Sequence, residues 1–230
     1  MEQKGGWTII VNEYGMTIDV LLDLYMSLCD STTSKKINLT DLGKAIEKQL
    51  KSTYEISYDK LCYTTGNIKN GLDYLPTKKY VRPVVKHVQV HIKLHQRIIY
   101  HINQKLGNEH LVDVRDANKL IGLYGKVNKI GGTEIYLKET FIPSIIKGLD
   151  KNTIPHEFGH SLGLYHVDEP WVWIKSMREQ WNIQKMIKNK TNIMYGGGGV
   201  YLNDRTSTTI TPEQMNIIIE NYKLGRLNLG

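Results

Sequence analysis

The chain has 230 residues, 40% hydrophobic and 23% charged, with a net charge of +7 and a pI near 9.2. That length and mix suit a globular chain of one large domain, or a common-sized domain with a smaller one, and exclude a low-complexity or collagen-like chain. No apolar run is long enough to span a membrane, and the excess Lys is dispersed (Lys35-Lys36, Lys78-Lys79, Lys185 to Lys190) without interleaved aromatics, which reads as solvated surface rather than a nucleic-acid interface.

In chain order, residues Trp7 to Val11 read as a short strand and Thr17 to Cys29 as an amphipathic helix. A loop at Asp30 to Ser34 precedes Asn38-Leu39-Thr40-Asp41, which offers a cap for a second helix running to Lys51. Tyr54 to Tyr63 reads as a strand, and Gly66 to Pro76 is turn-rich. A boundary near Thr77 to Tyr80 divides residues 1–80, an N-terminal segment or small domain, from residues 81–230. Trp7, Ile9, Val11, Leu21, Leu24 and Leu28 give the first part enough apolar surface to need burial, which favours a packed partner over a removable segment.

From Lys86 to His95 the residues alternate: Val88, Val90, Ile92 and Leu94 on one face, His87, Gln89, His91, Lys93 and His95 on the other. That is a half-buried strand, and it lays its histidines in a row on the solvated face. His101 and His110 have no evident partners. Tyr124 to Ile130 and Thr133 to Lys138 read as two strands joined at Gly131-Gly132, with Ile135, Leu137 and Phe141 facing the core. Trp171 to Lys188 reads as an amphipathic helix, and Thr211-Pro212-Glu213-Gln214 as the start of a last one.

The most informative run is H-E-F-G-H-S-L-G-L-Y-H, residues 156–166. On a helix, positions four apart share a face, so His156 and His160 can meet one ion. Pro155 suits the first turn of that helix, with Asn152 or Thr153 as cap. Gly163 permits the backbone to turn, bringing up His166 as a third ligand. Glu157 sits beside the first ligand, able to reach a metal-bound water without binding the metal. Three neutral nitrogens and one open position describe a catalytic site for one Zn2+ ion rather than a structural one.

This run resembles the long motif of the metzincin clan of zinc endopeptidases, and Asn192-Ile193-Met194-Tyr195 resembles that clan's methionine turn. The resemblance spans residues 81–230 and implies an α+β, zincin-like fold: a twisted mixed sheet with a zinc-site helix and a C-terminal helix, in addition to the N-terminal segment. It implies zinc on His156, His160 and His166, Glu157 as general base in peptide hydrolysis, and Met194 as an apolar floor. It also implies that substrate lies antiparallel along an edge strand, here the arm near Tyr124 to Ile130, and that Tyr195, Gly196 and Gly197 border the cleft. Gly196 stands where astacins and serralysins carry a metal-binding tyrosine, so no tyrosine ligand is assigned. Val167 follows the third histidine where subfamilies carry other residues, so no subfamily is assigned.

The expected partner is a protein or peptide substrate, with neither nucleic acid nor a membrane span. Met1 to Trp7 lack the features of a signal peptide, while an endopeptidase active in its own cytoplasm is a hazard. The expectation is a secreted or exported bacterial protein, and the AT-rich flavour of the composition supports that source. An exported toxin or effector domain with the same chemistry is an alternative, with an inhibitor or immunity protein as its partner. A zinc-containing binding protein without catalysis is another. Cys29 and Cys62 leave three readings: one disulfide, two buried thiols, or a latency thiolate at Cys62.

Overall fold

The computed structural model describes residues 6–68, 78–107, 109–167, 191–196 and 207–230. Its strands are β1 (Gly6–Tyr14), β2 (Thr17–Asp30), β3 (Ser57–Ile68), β4 (Lys78–Ile99), β5 (His110–Arg115), β6 (Gly125–Val127) and β7 (Glu134–Lys138). They form one mixed sheet in the order β3-β4-β2-β5-β7-β6, with β1 pairing β2 off this path. The pairs β2–β4, β2–β5 and β5–β7 are parallel; β1–β2, β3–β4 and β6–β7 are antiparallel.

Alternation decides the centre of this sheet. Ile18, Val20, Leu22, Leu24, Met26 and Leu28 are buried at every second position of β2. A strand sends successive side chains to opposite faces, so this spacing lays six apolar residues on one side. The helix expected over Thr17 to Cys29 is therefore a strand. Leu21, Leu24 and Leu28 imitate a helical stripe, but the period-2 set is longer and is the one the core uses. The alternation expected for Lys86 to His95 appears in β4, with Val88, Val90 and Ile92 buried and His87, Gln89, His91 and Lys93 exposed. The expected hairpin over residues 124–138 is β6–β7, with Ile135 and Leu137 fully buried.

Four helices are described: α1 (Leu39–Tyr54), α2 (Ile142–Ile146), α3 (Thr153–Ser161) and α4 (Pro212–Lys223). Asn38 caps α1, its side chain accepting the Asp41 N–H, and Leu42, Ile46, Leu50 and Tyr54 bury one stripe against the core. Because α1 runs on to Tyr54, the strand expected from that residue begins at Ser57. Thr211 and Gln214 form a capping box at the start of α4, with Pro212 in the first turn.

The division expected near residue 80 falls inside β4, and β2 pairs with both β4 and β5. Trp7, Ile9, Leu22 and Leu24 share one core cluster with Phe158, Met194 and Ile218, so the N-terminal residues are packed into the body that carries the histidines. Both cysteines are free thiols, Cys29 buried and Cys62 half-buried on β3. The expected helix over Trp171 to Lys188 lies outside the described residues. No helix among the described residues is long and apolar enough to cross a membrane.

Candidate metal centre

The helix α3 is fixed at both ends. At its start the expected caps do not serve: Asn152 makes no side-chain capping bond. Instead Asp150, fully buried, accepts the N–H groups of Asn152 and Thr153 on Oδ1 and the Thr153 hydroxyl on Oδ2. At its end, Gly163 has φ of +79°, the Gly163 N–H donates to the His160 carbonyl, and the Leu164 N–H donates to the Gly159 carbonyl. That is a Schellman motif closed by glycine, as the run of residues required. Asn221 on α4 donates to the Leu162 and Gly163 carbonyls, and a Cβ on Gly163 would sit 2.5 Å from its Nδ2. Laterally, the Trp7 indole N–H donates to the Ser161 hydroxyl and the Tyr54 hydroxyl to the Pro155 carbonyl.

These constraints bring His156, His160 and His166 together. Their ligand atoms lie within 4.8 Å of one another, and no other such group of three occurs among the described residues. The Nε2 of His166 is 3.0 Å from that of His156 and 3.1 Å from that of His160. Both helical rings are oriented from behind: Nδ1 of His156 lies 2.7 Å from the Ile193 carbonyl oxygen, and Nδ1 of His160 lies 2.9 Å from the Leu164 carbonyl oxygen. A carbonyl can only accept, so each Nδ1 carries the proton and each Nε2 keeps its lone pair. Burial and the two neighbouring imidazoles hold His160 well below the usual histidine range, which keeps its ring neutral.

Lone pairs converging on one point suit a cation. Around a tetrahedral divalent ion with metal–nitrogen bonds of about 2.0–2.1 Å, ligand nitrogens stand roughly 3.3 Å apart. The two separations to His166 are within a few tenths of an ångström of that, and all three ligand atoms lie within 4.8 Å of one another, so the three residues fit a metal ion.

Met194 lies beneath this helix. It is fully buried, and a Cβ on Gly159 would come within 2.3 Å of its Sδ, so the glycine between the two helical ligands is what lets the methionine pack there. Its turn is tied down by Asn192, whose Oδ1 accepts the Met194 N–H at 2.8 Å while its amide exchanges two bonds with that of Gln214. The same turn supplies the Ile193 carbonyl that holds His156. Tyr195 packs half-buried against the core, Gly196 is exposed, and Gly197 lies outside the described residues.

Glu157 stays outside the three-histidine cluster and meets β6, the last strand of the sheet. A Cβ on Gly125 would fall 2.9 Å from its Cγ, so this strand approaches closely only because it carries glycine there. Burial pushes the Glu157 carboxyl up to about 8, and the Val127 backbone N–H draws it back only in part.

Asp150 and Asn221 carry no signal in the sequence, and Asn192 and Gln214 stand there only as members of a turn and of a helix start, not as each other's partners. Each is a polar residue of ordinary local context, and its role comes from a partner that folding brings alongside. No protein-family model matches the chain, and no curated protein matches it.

Proposed function

We propose that the chain is a zinc-dependent endopeptidase of metzincin type, exported from the cell that makes it. One observation carries the reading: three imidazole nitrogens converge while a buried carboxylate one residue from the first of them remains outside the cluster, against an edge strand. A structural site has no use for such an acid, whereas metal-assisted hydrolysis needs one.

His156, His160 and His166 would hold the ion, and bound zinc supplies Lewis acidity to a water and to the scissile carbonyl. Glu157 takes the proton of the attacking water on its carboxylate and hands it to the leaving amine nitrogen. A carboxyl whose proton affinity is raised by burial is suited to both halves of that transfer. The backbone of Gly125 to Val127, at the end of the sheet, offers an extended substrate a place to add antiparallel as a further strand beside Glu157. The N-terminal residues packed into the core fit the reading of this part as a packed partner rather than a segment covering the cleft.

Two measurements on the full chain test this reading. Metal analysis should give about one zinc per chain, with acid releasing it as the imidazoles protonate. Cleavage of a denatured protein should be chelator-sensitive, and Glu157→Gln should keep the zinc yet lose about a thousandfold in rate. Zinc bound with no cleavage of any unfolded protein would leave a metal-containing binding protein in its place.

A further inference from the structure

Strand β4 loses its outer neighbour part-way along. β3 pairs with it only as far as Gln89, because the chain reaches Ser57 from α1, which ends at Tyr54 and leaves only Glu55 and Ile56 between. Two more contacts continue that edge: the Val90 N–H donates to the Ile56 carbonyl at 3.0 Å and the Ile92 N–H to the Glu55 carboxylate at 3.2 Å. The outward-facing residues of a strand alternate, so the next ones on this edge are Leu94, Gln96 and Ile98. β2 pairs with the opposite edge of β4 through Cys29, and among the described residues nothing pairs with the outer edge at these three positions.

The side chains of the same three residues turn toward α1, and a groove of about 320 Å³ lies there. Leu28, Leu39, Leu94 and Ile98 give it an apolar lining, and Lys44 and Glu47 stand on its rim. Gln96 spans from strand to helix, its Nε2 donating to the Gly43 carbonyl at 3.1 Å. Ile98 is 45% exposed although it lies on the face that is core elsewhere in β4.

We propose that this edge and groove are a binding site for an extended peptide, which adds to β4 as a strand and seats alternate apolar side chains between β4 and α1. The chemistry selects that occupant. Three unpaired N–H and C=O groups at two-residue spacing are the complement of another strand's main chain, and the site continues the β3–β4 pairing where β3 leaves it. The two rim charges, one of each sign, complement acidic and basic residues on the peptide's polar side. The site shares no residue with the metal centre, and β2, β5 and β7 separate β4 from β6, so it is independent of the proposed hydrolysis.

The test uses the full chain carrying Glu157→Gln, so that no peptide is cut, and capped hexapeptides of alternating valine and threonine, lysine or glutamate. Amide hydrogen exchange, read residue by residue, should show protection of Leu94, Gln96 and Ile98 when peptide is added. Peptides N-methylated at the positions that face β4 should fail to protect them, because they keep their side chains but lose the main-chain donors. Ile98→Pro removes an N–H that no described residue accepts, and proline is tolerated on an open edge. It should leave the melting temperature nearly unchanged and weaken peptide binding by about tenfold or more. Protection that appears instead at Gly125 to Val127, or equal binding of the N-methylated peptides, would overturn the proposal. So would protection of the β4 edge that rises with protein concentration in the absence of peptide, which would make the occupant a second copy.

Discussion

Histidines four residues apart occur twice in this chain, on α3 and on β4, and the two sets do opposite things. On α3, His156 and His160 stand one turn apart on one face, and with His166 they close to within hydrogen-bonding distance of a common point. On β4 the same spacing covers roughly 13 Å, so each ring finds its own surroundings. His87 Nδ1 lies 3.0 Å from Asp59, His91 is exposed, and His95 stacks on Tyr25 at 4.0 Å with Nε2 3.0 Å from Asp23. Spacing acquires chemical meaning only through the period of the element that carries it.

The sharpest way to break this comparison is to remove one ring from each set. His160→Ala should abolish stoichiometric zinc binding, because its Nε2 is one of only three converging donors. His91→Ala should leave zinc binding and melting temperature unchanged. Calorimetric titration of both variants reads the difference directly, and equal losses would mean that metal uptake is a general property of the histidines rather than of the site.

The α3 set was legible because everything it needs is local: two ligands on one face, a glycine to stop the helix and a third ligand on the return. The β4 row was legible for the same reason, since strict alternation leaves one reading. Where the sequence misled, the deciding fact was long-range. In β2 both a helical and a strand stripe could be traced, and the choice was made by β1, β4 and β5, which pair with it along its length. Likewise Asp150, rather than Asn152, caps α3, and Asn221 from the far end of the chain satisfies its last carbonyls. No local pattern marks such partners. The apolar content of the N-terminal residues favours their burial, but nothing in a linear pattern says that Trp7 will donate to Ser161.

A smaller effect tests how the helix hands over to the third ligand. Gly163 is in the left-handed region at φ of +79°, with Asn221 Nδ2 only 2.5 Å from where a Cβ would go. Gly163→Ala should cost about 2 kcal/mol of stability, from backbone strain and from pushing Asn221 off the carbonyls it satisfies. The same change in Gly122, also left-handed but with nothing within 4 Å, should cost only the strain, about 1 kcal/mol. Urea unfolding of the two variants separates the terms. Zinc affinity should fall for the Gly163 variant alone, since only that turn positions His166.

The last effect concerns a histidine that belongs to neither set. His110 opens β5 and is fully buried, its ring 5.9 Å from that of Trp7 and 6.5 Å from that of Phe158. Neither of its nitrogens has a well-formed hydrogen-bond partner. Burial above all, with the positive charge of Lys105, brings its pKa down to about 3, and the nearby Gly132 backbone offsets this only in part. The folded protein therefore keeps the ring neutral where the unfolded chain, with the ordinary value of 6.5, takes up a proton. Below that pH the unfolded state binds more protons than the native one, so stability is complete above 6.5 and falls as pH drops toward 3. The slope from this group alone approaches about 1.4 kcal/mol per pH unit once the pH is a unit or more below the unfolded value. His110→Leu removes the titration while keeping an apolar side chain among the aromatic rings. Urea unfolding at pH 7, 6 and 5 should show the variant losing about 0.7 kcal/mol less than the parent chain over the first step and about 1.2 kcal/mol less over the second, with zinc content held equal. Parallel slopes would place the acid sensitivity elsewhere, in carboxylates such as Glu109 that burial and Arg97 treat in opposite ways.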